Sequence, residues 1–210
     1  MVGNSLLILG AGGHANVVKE IASYNKSDVG SLNKVSFLDD CESKDCEGPL
    51  SLCADKKFRK KFQYAFVGIG DAKTRLFWLK KIIGLGYQCP VLIHQDAWVS
   101  PLSKIGMGTV IMPNSVVMAN SKIGLGCIIN TSSSIDHDCI IERGVHIAPG
   151  CNLAGNIIIK EKTMIGIGSN IIQGLTIGSN VMVGAGSTVI KDVKSNELVV
   201  GNPARKIIKK

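Results

Sequence analysis

Ile105 to Gly150 reads IGMGTV-IMPNSV-VMANSK-IGLGCI-INTSSS-IDHDCI-IERGVH-IAPG when it is cut at every sixth residue. An aliphatic side chain opens each block. Extended both ways, the ladder runs from Val99 through Ile105, Ile111, Val117 and Ile123 to Ile177, Val183 and Val189, sixteen hexads without a missed step. Four places after each aliphatic stands a small or aliphatic residue, among them Ser103, Thr109, Ser115, Ser121, Cys127, Ser133 and Cys139. A period of six fits neither the 3.6 of a helix nor a simple alternating hairpin. It fits a chain wound into a prism, with short strands on its faces, a bend every six residues and the aliphatics stacked inward.

This ladder resembles that of the hexapeptide-repeat proteins. The resemblance implies a left-handed parallel β-helix with three hexads per coil, the opposite hand to ordinary parallel crossovers. Residues 18 apart then lie one above another, separated by about one strand spacing, 4.8 Å. The sixteen hexads imply five coils.

The first half of the chain has another character. LLILGAGGHANVVKEIASY, from Leu6, reads as a buried strand, a glycine turn and a helix, with Gly10, Gly12 and Ala15 in the pattern GxGxxA. Such a turn brings backbone N–H groups at a helix N-terminus to a phosphate; equally, its glycines let a helix pack close to a sheet. KVSFLDD ends a second strand on Asp39 and Asp40, where an acidic residue would meet a ribose, and YAFVGIGDAKTR gives a third strand and a second glycine loop. Some 90 residues make a truncated unit for one nucleotide rather than a full dinucleotide fold. The expected architecture is an α/β, Rossmann-like βαβ domain over 1–92, followed by a left-handed parallel β-helix over 93–210 that includes a C-terminal tail.

Lys and Arg number 24 against 16 Asp and Glu, so the net charge of +8 asks for an anionic partner. With 5% aromatics and no long basic block, a phosphate-bearing small molecule fits better than nucleic acid. No apolar run approaches the roughly 18 residues that span a bilayer. Seven scattered cysteines without metal spacing indicate reduced thiols and a cytoplasmic protein. Cys127, Cys139 and Cys151 fall in the small interior slot of the repeat.

The four histidines can be weighed singly. His94 lies at the entry to the repeat and takes a structural role. His14, in the glycine turn, can bond a phosphate or its own backbone. His137, in IDHDC, stands between two carboxylates within an aliphatic ladder. Imidazole has the pKa of a general base near neutrality, and a carboxylate beside it fixes one tautomer and stabilises the imidazolium. Asp138 is the expected partner and Asp136 the runner-up. Gly155 follows His137 by 18 residues, so it falls one coil away in the same column, where a bare backbone N–H can face a developing oxyanion.

GAGGH, VGIGDAKTR, INTSSSIDHDC, VHIAPGCNLAGN and VVGNPARKI together resemble the bacterial sugar acetyltransferases of the PglD-like and NeuD-like group. The resemblance implies His137 and Asp138 as the catalytic pair and Gly155 as the oxyanion donor. It places His146, Gly155, Ile167 and Ala185 against acetyl-CoA, with Ala185 standing where a relative has glycine, and Asn130 near the acceptor. It further implies a homotrimer with active sites at the subunit boundaries. Acetyl-CoA is the expected co-substrate and no metal is expected. The implied reaction is direct acetyl transfer to the amino group of a UDP-linked amino sugar in surface-glycan synthesis. Gly12, Gly13, His14, Asp39 and Asp40 would grip the nucleotide, and Lys191, Lys194, Arg205 and Lys206 would meet the coenzyme's 3′-phosphate. The alternatives are O-acetylation of a sugar such as sialic acid, and a non-catalytic nucleotide-binding β-helix.

Overall fold

The computed structural model describes residues 4–24, 29, 32–41 and 46–207. The chain divides into two compact units at Gln95/Asp96.

The first unit is built on a parallel three-stranded sheet in the order β2-β1-β3, with β1 at Ser5–Leu9, β2 at Lys34–Leu38 and β3 at Tyr64–Val67. Leu6 to Leu9 are fully buried, as expected of a central parallel strand covered on both faces. Helix α1, Gly13–Ser23, follows β1 and turns Ala15, Val18, Ile21 and Ala22 inward. A short helix, α2, occupies Lys56–Arg59, and α3, Ala72–Gly84, follows β3 and starts at Asp71, whose carboxylate accepts from Thr74 N. Close packing explains part of the glycine pattern: a Cβ on Gly68 would lie 2.8 Å from the Cβ of Ala15.

The second unit is a left-handed parallel β-helix. Two-residue strands pair at a register of 18, as in Ser134↔Asn152 and Ile140↔Ile158, so each coil takes three hexads. Ile111, Ile129, Ile135, Ile147 and Ile165 are fully buried along its axis. One face holds six strands from Trp98–Val99 to Thr188–Val189, so the stack is taller than the five coils expected. The reason lies in the last circuit. There Val193 bridges Ile177 and Leu198 pairs with Met182, a step of 16 residues that the hexad count does not reach. Arg205–Lys206 then folds back antiparallel on Leu198–Val200 and covers that edge.

The corners have a periodicity of their own. Every sixth residue from Gly108 to Gly186 has positive φ, and each is Gly or Asn except Ser132, Asp138 and Lys162. That left-handed conformation costs most side chains energy and suits Gly, Asn and Asp. The small slot after each corner is more than a space filler. The hydroxyls of Thr109, Ser115, Ser121, Thr163 and Ser169 each donate to the carbonyl 15 residues ahead, at 2.6–3.0 Å. Cys127, Cys139 and Cys151 make the same bond through sulfur, at 3.1–3.3 Å. Serine, threonine and cysteine share the slot because each is small and carries a donor that satisfies a buried carbonyl.

Candidate active site

Between the strands Ser134–Ile135 and Ile140–Ile141 the chain turns one corner of the prism. Ile135, Cys139 and Ile141 point inward and are buried, which leaves Asp136, His137 and Asp138 outside. The turn itself needs a residue at φ +59°, and Asp138 supplies it. The same residue therefore closes the corner and aims a carboxylate at its neighbour.

His137 Nδ1 donates to Asp138 Oδ2 at 2.8 Å. A carboxylate only accepts, so Nδ1 carries the proton and Nε2 of the neutral ring is left basic. The other oxygen of Asp138 accepts from Asn120 Nδ2 at 3.2 Å, one coil below. Asp136 is occupied elsewhere: its Oδ1 accepts from the backbone N of His137 at 2.8 Å, which settles Asp138 as the imidazole's partner. The hydrogen bond to Asp138, and then the charge of Asp136, hold the His137 pKa above its ordinary value. Asp138 is held below the usual carboxylate range by the bonds from His137 and Asn120. Both side chains are more than half exposed, 59% and 51%, so the pair is open to a reactant.

Gly155 sits directly against the imidazole. A Cβ built on it would fall 2.7 Å from both Cε1 and Nε2 of His137. Any side chain there would displace the ring, and glycine alone leaves room for a reacting group beside Nε2. Its backbone N–H has no hydrogen-bond partner among the described residues. Cys139 offers no alternative nucleophile, because its thiol is buried, bonded to the carbonyl of Ala154, and raised in pKa by desolvation.

A second cluster lies half a circuit away. Asn130 Oδ1 accepts from Thr131 N at 2.8 Å, which leaves its Nδ2 to donate to His146 Nε2 at 3.1 Å. His146 lies on the face that pairs Ile128↔His146 and His146↔Met164. At the next corner Ile167, 57% exposed, and Ala185, also exposed, stand one coil apart. His137, Asp138 and Gly155 thus share one corner of the prism, whereas Asn130, His146, Ile167 and Ala185 belong to another. The Asn130–His146 bond and the role of Asn120 were not legible beforehand, although the spacing of 18 from Asn120 to Asp138 carried the signal.

In the first unit Gly12 precedes α1 without a side-chain cap, and Gly13 opens the helix. The first helical N–H groups lack the usual capping partner. Asp39 braces this turn: Oδ2 accepts from Ala11 N at 2.7 Å and Oδ1 from Cys41 N at 2.9 Å. Asp40 Oδ1 accepts from Leu50 N at 2.9 Å. His14 is neutral, its pKa pushed down to about 4 by burial and then by the charge of Arg75, and its Nε2 is buried with no partner. Arg75 is itself 1% exposed and donates to the carbonyls of Ile69 and Gly70 in the second glycine loop. All seven cysteines are free thiols. Among the described residues no group of His, Cys, Asp or Glu is arranged to hold a metal, and no helix is long and apolar enough to cross a membrane.

A β-helix of hexads bearing an exposed His–Asp pair against a bare glycine defines an acyltransferase of the hexapeptide-repeat class. The family described as PglD N-terminal domain matches residues 5–82. The acetyltransferase domain of PglB from Neisseria gonorrhoeae is 37% identical over 97% of this chain and 100% of that one, with a TM-score of 0.91. The same domain in complex with acetyl coenzyme A aligns with a TM-score of 0.90, at 37% identity over 98% of this chain and 100% of that one. A histidine-to-asparagine mutant of perosamine N-acetyltransferase from Caulobacter crescentus, in complex with CoA and GDP-perosamine, is 30% identical over 98% and 97% of the two chains, with a TM-score of 0.89. No curated protein matches the chain. The chain belongs to the PglD/NeuD-like family of sugar acetyltransferases.

Proposed function

We propose that this acetyltransferase moves the acetyl group of acetyl-CoA onto the amino group of a nucleotide-linked amino sugar, with His137 as general base. The observation that carries the reading is the imidazole whose basic Nε2 abuts Gly155. The amine nitrogen attacks the thioester carbonyl and loses its proton to Nε2, and the N–H of Gly155 receives the negative charge gathering on the oxygen. As the tetrahedral intermediate collapses, the C–S bond breaks and the proton passes from His137 to the departing thiolate. No acyl-enzyme is formed, in keeping with the buried thiol of Cys139.

The complex of the gonococcal PglB domain with acetyl coenzyme A supports the donor, and the perosamine N-acetyltransferase complex with GDP-perosamine supports a nucleotide amino sugar as acceptor. Uridine diphosphate is the carrier implied by resemblance to the PglD-like enzymes. The uncapped start of α1 at Gly12 and Gly13 suits the diphosphate, with His14 beside it and Asp39 and Asp40 bracing the loops. Asn130, His146, Ile167 and Ala185 would line the coenzyme from a neighbouring copy of the chain, in a homotrimer whose active sites lie at the boundaries.

A thiol-release assay with acetyl-CoA tests this against UDP- and GDP-linked 4-amino sugars and against free sialic acid. Turnover with a nucleotide amino sugar, abolished by prior N-acetylation of that sugar, is the expected result. Turnover with sialic acid alone would overturn it in favour of O-transfer.

A further inference from the structure

We infer that Asn120 is a positioning residue for the reaction, holding the Asp138 carboxylate so that its second oxygen stays on the imidazole of His137. The inference rests on the reading of His137 as proton acceptor. Asn120 lies 18 residues before Asp138, one coil below it in the same corner column, and its Nδ2 reaches Asp138 Oδ1 at 3.2 Å while Oδ2 keeps the 2.8 Å bond to His137 Nδ1. An exposed carboxylate with one partner rotates freely about its Cβ–Cγ bond. With a partner on each oxygen its plane is fixed, and with it the tautomer and direction of the ring. The carboxylates facing His137 are those of Asp136 and Asp138, and Asp136 is committed to the His137 backbone N.

The competing explanation is that Asn120 merely fits its corner, since it has φ +61° and Asn tolerates that conformation. The molecule provides its own control. Asn180, at another corner, has φ +55° and stacks in the same manner on Asn196, with Nδ2 3.2 Å from the partner's Oδ1, but touches no ionisable group of the site. Glycine accepts that backbone at either position, so Asn120→Gly and Asn180→Gly both keep the corner and delete only the amide.

Steady-state kinetics across pH 5.5–9 with acetyl-CoA and an accepted amino sugar separates the two readings. Asn120→Gly is expected to lower kcat about tenfold with the KM for acetyl-CoA held, a loss in the range of an outer hydrogen-bond partner. Asn180→Gly is expected to match the wild type. Asn120→Asp, which brings another negative charge to the pair, should move the acid limb of kcat/KM upward by about half a pH unit or more. If Asn120→Gly and Asn120→Asp both superpose on Asn180→Gly in kcat and in pH profile, Asn120 only fills its corner and the inference is overturned. His137→Ala, run alongside, tells the two levels apart. Its loss of activity with silent Asn120 variants sinks this inference alone, while retained activity in His137→Ala sinks the general-base reading and this inference with it.

Discussion

At the scale of single residues the site depends on two positions where the fold's needs and the chemistry's needs coincide. Asp138 must accept φ +59° and must also present its carboxylate to His137, and aspartate meets both conditions. Because the pair raises the His137 pKa, the free enzyme loses its base on the acid side at a pH above the 6.5 of an ordinary imidazole. Asp138→Asn removes the charge that raises it, so the acid limb of kcat/KM should move to lower pH even as kcat falls. An unmoved limb would mean that another group titrates. His137→Ala should cost about two to four orders of magnitude in kcat. Gly155→Ala puts a methyl 2.7 Å from the ring, and the resulting displacement should cost about 100-fold in kcat with little change in the melting temperature. His14 gives a prediction about stability. Its folded pKa of about 4 lies below the unfolded 6.5, so between those values the unfolded chain takes up the proton first. Stability is then flat above pH 6.5 and falls as the pH drops toward 4, by at most about 1.4 kcal/mol per unit from this group. Urea titrations from pH 4 to 7 should show that slope reduced in His14→Leu; an unchanged slope would remove His14 as its source.

At the scale of the element, the hexad is where sequence and structure meet most openly. The aliphatic ladder from Val99 to Val189 announces the prism, because a stacked core leaves no freedom in which residues face inward. The corner column joining His137 to Gly155 follows by arithmetic from 18 residues per coil. Other features leave a fainter trace. Asn at 114, 120, 156 and 180 reads as turn composition until the backbone shows that all four are left-handed. The Asn130–His146 bond spans 16 residues, off the coil period, so no column counting finds it. The shortened last circuit is hidden because its corner deletes two residues while keeping the aliphatic character. The small interior slot was legible as size but not as hydrogen bonding. Ser121 makes that distinction testable, since its Oγ donates to Asp136 O at 2.7 Å and accepts from Cys139 N at 3.1 Å, on both sides of the catalytic corner. Ser121→Ala keeps the size and strands two buried groups, so it should destabilise by about 1–3 kcal/mol. Ser121→Cys should recover part of that loss, because Cys127 and Cys139 make the same kind of bond in their own coils. A denaturant midpoint equal to wild type in Ser121→Ala would reduce the slot to packing alone.

At the scale of the whole molecule, the separation of the two clusters becomes an argument about assembly. Nine residues, half a circuit, part His137 from His146, and the exposed pair Ile167 and Ala185 flanks a different corner from Gly155. If one acetyl-CoA is to touch both groups, a coil of one copy must lie beside a coil of another. A flat exposed face would otherwise leave the coenzyme largely in water. In a closed cyclic trimer each boundary then draws its base from one subunit and its coenzyme wall from the next. Complementation measures this directly. His137→Ala removes the base and leaves the wall; Ile167→Glu places a charge on the wall and leaves the base. Either homotrimer alone should be inactive. Co-expressed in equal amounts and assembled at random, the two chains should pair an intact base with an intact wall at about one boundary in four, restoring about a quarter of wild-type turnover. Two separately purified variants mixed without subunit exchange should remain inactive, which controls for residual activity in either. Were each site built within one chain, no mixture could exceed the sum of its parts, and failure of the co-expressed pair to do so would overturn the shared site.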